Sequence, residues 1–276
     1  MIKLNKIYNV DCLAFLEQLQ EEKNIKLDVI VTSPPYNINK SYTKYNDKRD
    51  INDYLNWLQN IADKSLKVLK DDGSFFLNIG NTLKDPLVPF YIANRFTEVG
   101  YKIQNTIHWI KSISFEGQDI GKTNRLKENT SIGHFKPIMS KRFLSDLHEY
   151  IFHFTKNGDL VLDKMAIGVT YQDKTNIGRW KSATRDKRDR GNNWFIPYET
   201  IQEKRPHPAI FPKKIPYMCI KLHGIKENMI VYDPFMGIGS TALACIDLGV
   251  KYCGTEIDSK YIKIANENIK NVIDDI

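Results

Sequence analysis

The sequence predicts an α/β fold built on a largely parallel sheet, interrupted in its middle by a basic insertion. Three observations carry this. Short β-branched apolar runs alternate with helical spacing at both ends of the chain, the signature of βαβ units. A glycine turn, Pro234-Phe-Met-Gly-Ile-Gly239, joins a strand-like run to a helix-like one. From residue 111 to 206 the periodicity weakens and positive charge accumulates.

The first stretch, 1–110, holds Leu27-Asp-Val-Ile-Val31, a buried strand stopped by the prolines of Thr32-Ser-Pro-Pro35. Leu55, Leu58, Ile61, Ala62, Leu66 and Leu69 fall at helical spacing, so a helix is expected over 53–69, ended by Asp71-Asp-Gly73. Strands are expected at 74–79 and 105–110. The second stretch, 111–206, is polar, basic and mostly loop, with one strand near 149–156 that belongs to the core sheet. Irregular chain of this length in a compact domain points to a functional insertion, or to order gained on binding a partner. The third stretch, 207–276, returns to α/β. It has strands at 229–233 and 251–256 and helices at 240–248 and 259–269, with Gly249 closing the first helix.

The chain has 276 residues and a net charge of +7, nearly all of it between Lys111 and Pro206. A localised basic region suits a polyanion such as nucleic acid, although a solvated basic surface has the same composition. No apolar run is long enough for a membrane span, and the N-terminus lacks the apolar stretch of a signal peptide. Cys12, Cys219, Cys245 and Cys253 have no CxxC spacing and read as reduced, buried thiols of a cytoplasmic protein. The histidines, among them His148, His153 and His207, lack metal-ligand spacing, so no metal is expected.

Two constellations carry chemistry. In the first, Gly237 and Gly239 let the backbone turn sharply and approach a ligand with no Cβ in the way. Glu256 stands at the end of the following strand, where a carboxylate accepts hydrogen bonds from ribose hydroxyls. Position 242 is Ala, so the third glycine of a dinucleotide fingerprint is missing, and no Lys follows as a phosphate-binding loop requires. An adenosyl ligand without phosphates fits better. In the second, Ser33-Pro-Pro-Tyr36 leaves a strand at the carboxyl edge of the sheet. Two prolines fix φ and remove two donors. What remains is a bracket of carbonyl acceptors, a hydroxyl and an aromatic face. An amino group on a flat heterocycle needs those partners: acceptors for its N–H groups and a stacking surface for its ring. Read alone, the same residues would also suit a Pro-Pro turn that merely ends a strand.

Together the motifs resemble the amino-methyltransferase family of DNA-modifying enzymes, with Ser33-Pro-Pro-Tyr36 as catalytic motif and Phe235-Met-Gly-Ile-Gly239 as cofactor motif. The order, catalytic motif first, is similar to the family's permuted β group. Asn9-Val-Asp-Cys12, the strand at 74–79, Ile107–Lys111, His148–Lys156 and His207-Pro-Ala-Ile-Phe-Pro212 fit further family motifs. The resemblance implies a Rossmann-like, S-adenosylmethionine-dependent methyltransferase sheet, circularly permuted, with an inserted target-recognition region. It implies cofactor contacts from Asp11, Cys12, Thr32, Asp233, Pro234, Phe235, Gly237, Gly239, Ser240, Thr241, Glu256 and Ile257, and from His207, Phe211 and Pro212 over the methionine end. Catalysis falls to Ser33, Pro34, Pro35 and Tyr36. The strand at Ile30 is expected beside the strand at Val231.

Within the family, Ser at the first motif position is associated with N4 of cytosine, and Asp or Asn with N6 of adenine. The expected reaction is direct methyl transfer to cytosine N4 in double-stranded DNA, on a flipped base stacked against Tyr36. Adenine N6 is the alternative, and a non-catalytic DNA-binding relative a further one. Ring-carbon methylation is disfavoured because no Cys stands in a Pro-Cys context. Lys181, Arg185, Lys187, Arg188 and Arg190 are expected at phosphates or guanine edges. Trp180 and Trp194 flank them, as packing residues or as wedges. A cognate restriction endonuclease and a monomeric or homodimeric state complete the expectation.

Overall fold

The computed structural model describes residues 2–82, 85–117, 128–134, 137–179, 186–197 and 211–274. Its elements run β1 (Lys6–Tyr8), α1 (Cys12–Glu21), β2 (Leu27–Thr32), α2 (Ile51–Val68), β3 (Leu69–Ile79), α3 (Val88–Glu98) and β4 (Lys102–Ile110). There follow β5 (Ile113–Phe115), β6 (Thr130–Ile132), β7 (His148–Thr155), β8 (Asn193–Phe195), α4 (Lys214–His223), β9 (Ile230–Asp233), α5 (Ser240–Leu248), β10 (Lys251–Thr255) and α6 (Ser259–Asp274).

An eight-stranded sheet in the order β1-β10-β9-β2-β3-β7-β4-β8 forms the middle layer. All its pairings are parallel except those of β7, which runs against both β3 and β4. Helices α1, α2 and α3 bury Phe15, Leu16, Leu58, Ile61 and Phe96 against one face. Helices α4, α5 and α6 bury Met218, Cys219, Ala244 and Ala265 against the other. β2 is buried along its whole length, as a strand covered on both faces requires. The expected neighbour pairing holds: Val29 lies opposite Val231 and Ile30 opposite Tyr232.

Several boundaries differ from expectation. Helix α2 starts at Ile51, capped by the Asp50 carboxylate at 2.8 Å from the Asn52 N–H, and its extended successor begins at once with Leu69. Asp71-Asp-Gly73 therefore lies inside β3 instead of ending the helix. Lys70 is drawn there by Asp28, buried in β2, at 2.7 Å. The partner register then jumps from Leu69 to Ser74, which absorbs the extra residues. Helices α3 and α4 are not among the elements expected from the sequence; each tolerates a proline, Pro89 and Pro216, in its first turn, where no intrahelical N–H bond is lost. The insertion is not all loop: β5 and β6 form a small hairpin, and β8 joins the core sheet beside β4. All four cysteines are free and buried. Among the described residues no helix is long and apolar enough to cross a membrane.

Candidate active site

The proline turn leaves the carboxyl end of β2 and the glycine turn leaves that of β9. Thr32 and Asp233, 201 positions apart, tie them together: Thr32 Oγ1 donates to Asp233 Oδ1 at 2.6 Å. Thr241 Oγ1, in the first turn of α5, donates to Asp233 Oδ2 at 2.6 Å, and the Phe235 N–H donates to Oδ1 at 2.9 Å. Complete burial pushes the Asp233 carboxyl up to about 6, against the pull of these three donors. Thr32, Asp233 and Thr241 are thus a buried knot behind the site, fastening both turns to α5. Gly239 also faces inward, at φ 95°, where a Cβ would come 3.2 Å from that of Ala265.

In front of the knot the two turns share one cavity of about 290 Å³. Of the residues singled out in the sequence, Asp11, Cys12, Ser33, Pro34, Pro35, Tyr36, Phe211, Pro234, Phe235, Gly237, Ser240, Glu256 and Ile257 line it. Pro212 follows Phe211 just outside the lining. His207 lies outside the described residues. Phe211 is held over the start of α5 by its carbonyl, which accepts from Ser240 Oγ at 2.9 Å.

At one end of the cavity stands Glu256. The Gly237 N–H donates to its Oε2 at 3.0 Å and the Asp258 N–H to its Oε1 at 2.8 Å. Burial raises its pKa while these donors oppose the shift. Each oxygen keeps a lone pair for a further donor, so the carboxylate is fixed and still able to accept a diol. Asp11 caps α1 through the Leu13 N–H at 2.9 Å, which aligns Cys12 with the cavity wall. The acceptor pair at Glu256 and the Cys12 and Ile257 walls fit an adenosyl group, and the turn carries no lysine for phosphates.

At the other end is the proline bracket. The Tyr54 hydroxyl donates to the Pro35 carbonyl at 2.7 Å, fixing the turn. Tyr36 donates its hydroxyl to Glu149 Oε2 at 2.7 Å, and its oxygen lies 2.9 Å from Ser33 Oγ. Asn78 Nδ2 donates to the same Glu149 oxygen at 2.9 Å, and Lys111 Nζ lies 2.5 Å from the other. Glu149 is not among the site residues expected from the sequence, although it falls in the His148–Lys156 stretch matched to a family motif and is a lone carboxylate just before the run Tyr150–Phe154.

A second unread feature is the loop from Asn37 to Arg49. Its hub is Asp47, 2 % exposed, which accepts the Asn37, Ile38 and Lys40 N–H groups at 2.8, 3.1 and 2.9 Å. Asn37 and Asn39 adopt left-handed backbone, which Asn tolerates better than most residues. The Asn37 side chain pairs with the Arg49 backbone at 2.7 and 3.0 Å, closing the loop. Thr43 hydrogen-bonds Asp258 across the cavity mouth. Arg49 lies over the rings of Tyr45 and Trp57, and Trp57 meets Phe235 edge-on at 5.4 Å. The loop therefore roofs the cavity. No period or motif announces it, because its contacts are with its own backbone, with Trp57 and with distant Asp258.

In the insertion, Trp180, Lys181 and Arg185 lie outside the described residues. Lys187 and Arg188 are exposed; Lys187 Nζ donates to the Met165 carbonyl and Arg190 Nε to that of Ile167 at 2.9 Å. Trp194 is a packing residue, 1 % exposed on β8 opposite Trp109.

Comparison with known proteins agrees with this geometry. A family model described as DNA methylase, for N6 and N4 methyltransferases, matches residues 27–267. The chain is 28% identical over 275 residues to the type II methyltransferase M.BglII of Bacillus subtilis, covering 95% of this chain and 68% of that one. It is 27% identical over 265 residues to the DNA adenine methyltransferase YhdJ of Escherichia coli strain K12, covering 94% and 80%. Among solved structures, PvuII DNA methyltransferase, described as cytosine-N4-specific, superimposes with a TM-score of 0.65 at 20% identity, over 95% of this chain and 84% of that one. At that identity the likeness is one of fold.

Proposed function

This chain belongs to the N6/N4 family of DNA methylases, and we propose that it transfers a methyl group from S-adenosylmethionine to the exocyclic N4 of cytosine in duplex DNA. The observation that carries the reading is the single cavity shared by the Ser33–Tyr36 bracket and the Gly237–Glu256 pocket. A nucleophilic amine and an adenosyl ligand would meet there.

S-Adenosylmethionine supplies an electrophilic methyl group. The chain's own residues do the rest. Glu256 accepts the ribose hydroxyls, Asp11, Cys12 and Ile257 flank the adenine, and Phe235, Gly237, Ser240 and Phe211 bound the methionine end, with Pro212 beyond. The knot of Thr32, Asp233 and Thr241 keeps both turns in register. Tyr36 stacks on the flipped base. The Ser33 oxygen and the carbonyls of Ser33 and Pro34 take the N–H groups of the target amine. Acceptors that draw these hydrogens out of the ring plane localise the nitrogen lone pair, which conjugation otherwise makes a poor nucleophile. Holding amine and methyl group in line is the main contribution.

Ser33 at the head of the bracket favours cytosine N4. The similarity to an adenine methyltransferase makes adenine N6 the second outcome to test. The basic insertion, Lys187, Arg188 and Arg190 together with Lys181 and Arg185, is proposed as the DNA-recognition region. Similarity to type II methyltransferases supports a role in restriction-modification, with a cognate endonuclease sharing the recognition sequence. Nucleoside mass analysis of DNA methylated by the purified protein tests the reading: N4-methylcytosine supports it, and N6-methyladenine alone overturns the choice of base.

A further inference from the structure

The chain of hydrogen bonds from Ser33 through Tyr36 to Glu149 has a direction. We infer that Glu149 sets it, orienting the Ser33 hydroxyl as an acceptor toward the target amine and receiving, by relay, the proton the amine gives up. This rests on the amino-methylation reading above.

The direction follows from counting protons. A carboxylate only accepts, so the single Tyr36 hydroxyl proton goes to Glu149 Oε2 at 2.7 Å. The same phenol oxygen lies 2.9 Å from Ser33 Oγ. With its proton already given away, Tyr36 accepts there and Ser33 donates. The Ser33 proton therefore points at Tyr36, and its lone pairs are left for N–H donors. The opposite order would leave two lone-pair-bearing oxygens facing each other between Tyr36 and Glu149.

Glu149 is built to hold this order. Its side chain is nearly buried at the start of β7, Asn78 donates to Oε2 at 2.9 Å, and Lys111 lies 2.5 Å from Oε1. Donors on both oxygens prevent the carboxylate from turning away. Lys111 also keeps a positive charge beside the carboxylate, with its ammonium 5.2 Å from the centre of the Trp109 ring.

The same chain carries the proton out. Once the N–CH₃ bond has formed, the nitrogen bears one proton too many. That N–H bond breaks as its proton moves to Ser33 Oγ. The proton of Ser33 moves to Tyr36 Oη, and that of Tyr36 to Glu149 Oε2. One N–H bond is lost and one carboxylic O–H is gained, with no oxidant or reductant. Glu149 acts on the amine through Tyr36, so it is a positioning residue and terminal proton acceptor.

The test compares wild type, Glu149→Gln, Tyr36→Phe and the double variant by single-turnover transfer of tritiated methyl to DNA. Calorimetric binding of S-adenosylmethionine and the KM for DNA are measured alongside. In Glu149→Gln the new amide cannot satisfy Tyr36, Asn78 and Lys111 at once, because one end is now a donor. The expected loss in single-turnover rate is at least about a hundredfold for Glu149→Gln and for Tyr36→Phe, at the lower end of proton-transfer contributions. Cofactor binding and KM should stay within about twofold, and Glu149→Gln should add less than about twofold in the Tyr36→Phe background. An equal loss from Glu149→Gln in both backgrounds would make its role structural and overturn the inference. So would a wild-type rate in Tyr36→Phe, which keeps Glu149, Asn78 and Lys111 in place should Glu149→Gln fail to fold. Transfer by wild type with unchanged variants sinks this inference alone. No transfer by wild type to any duplex, with cofactor bound, sinks the amino-methylation reading and this inference with it.

Discussion

Replacing Gly80 by alanine adds one methyl group against the ring of Tyr36. Gly80 directly follows β3 in ordinary backbone, so alanine fits the main chain. Its Cβ would stand 2.9 Å from Tyr36 Cε2, 3.3 Å from Tyr36 Cδ2 and 3.3 Å from Glu149 Cγ. Carbon atoms rest at about 3.5–4.0 Å, so the ring must retreat by roughly half an ångström. It cannot do so freely, because its hydroxyl is held at 2.7 Å by Glu149 and at 2.9 Å by Ser33. Overpacking of this kind costs on the order of 1 kcal/mol of stability. A misplacement of about 1 Å at a reacting centre can cost about a hundredfold in rate; half of that, at the residue proposed to stack on the base, predicts a loss of roughly tenfold. The assay is single-turnover methyl transfer, with thermal melting and cofactor calorimetry on the same samples. Unchanged cofactor affinity with a slower rate is the expected pattern. A wild-type rate would refute the claim that Tyr36 placement limits transfer, and an equal loss of cofactor binding would refute the separation of the two ends of the cavity.

Thr32→Val leaves one oxygen of the buried Asp233 without its hydroxyl donor and should cost about 1–3 kcal/mol of stability; it should also weaken cofactor binding in calorimetry through the loosened Phe235 turn, and unchanged binding would count against the knot. Buried His153 and His223 bond to Ser74 at 2.9 Å each, and burial depresses them to about 3 and about 4. The unfolded chain binds protons there below about pH 6.5 that the folded chain refuses, so stability falls on acidification from 6.5 toward 4. Asp233, held at about 6 in the fold, works in the opposite sense below that pH. Denaturation of His153→Gln across this window should therefore show a shallower loss than wild type, and an equal or steeper one would refute the assignment. Lys187→Ala and Arg188→Ala should weaken binding to any duplex and each reduce the salt slope of log K by roughly one; an unaltered slope would place both residues off the phosphates.

Much of the site could be read locally. The Ser33–Tyr36 bracket, the Gly237–Gly239 turn and Glu256 are stretches whose chemistry depends on their own backbone: proline removes donors, glycine admits positive φ, and a carboxylate ends a strand. Their order along the chain also indicated the permuted arrangement, in which β2 lies against β9. The residues that went unread share a different property. Glu149 matters because β7 runs antiparallel to β3, with Tyr150 opposite Ile79, which brings a carboxylate from late in the chain to Tyr36. Asp47 matters because a loop folds back on its own N–H groups, and Trp57 because Arg49 and Phe235 both arrive against it. In the same way Asp71-Asp-Gly73 looked like a helix stop because nothing local announces the pairing of Lys70 with Asp28.

The sequence by itself determined the expected class of chemistry: an acceptor bracket for an amine, a phosphate-free adenosyl pocket and a basic insertion between them. Residue type and spacing, which act over a few positions, point to each, and the resemblance to the amino-methyltransferase motifs chooses among the readings they leave open. Only the tertiary structure decided which groups stand behind the bracket, and the inferred direction of its hydrogen bonds rests on them. Orientation of a shared proton depends on partners more than a hundred residues away, and strand register alone brings them within reach.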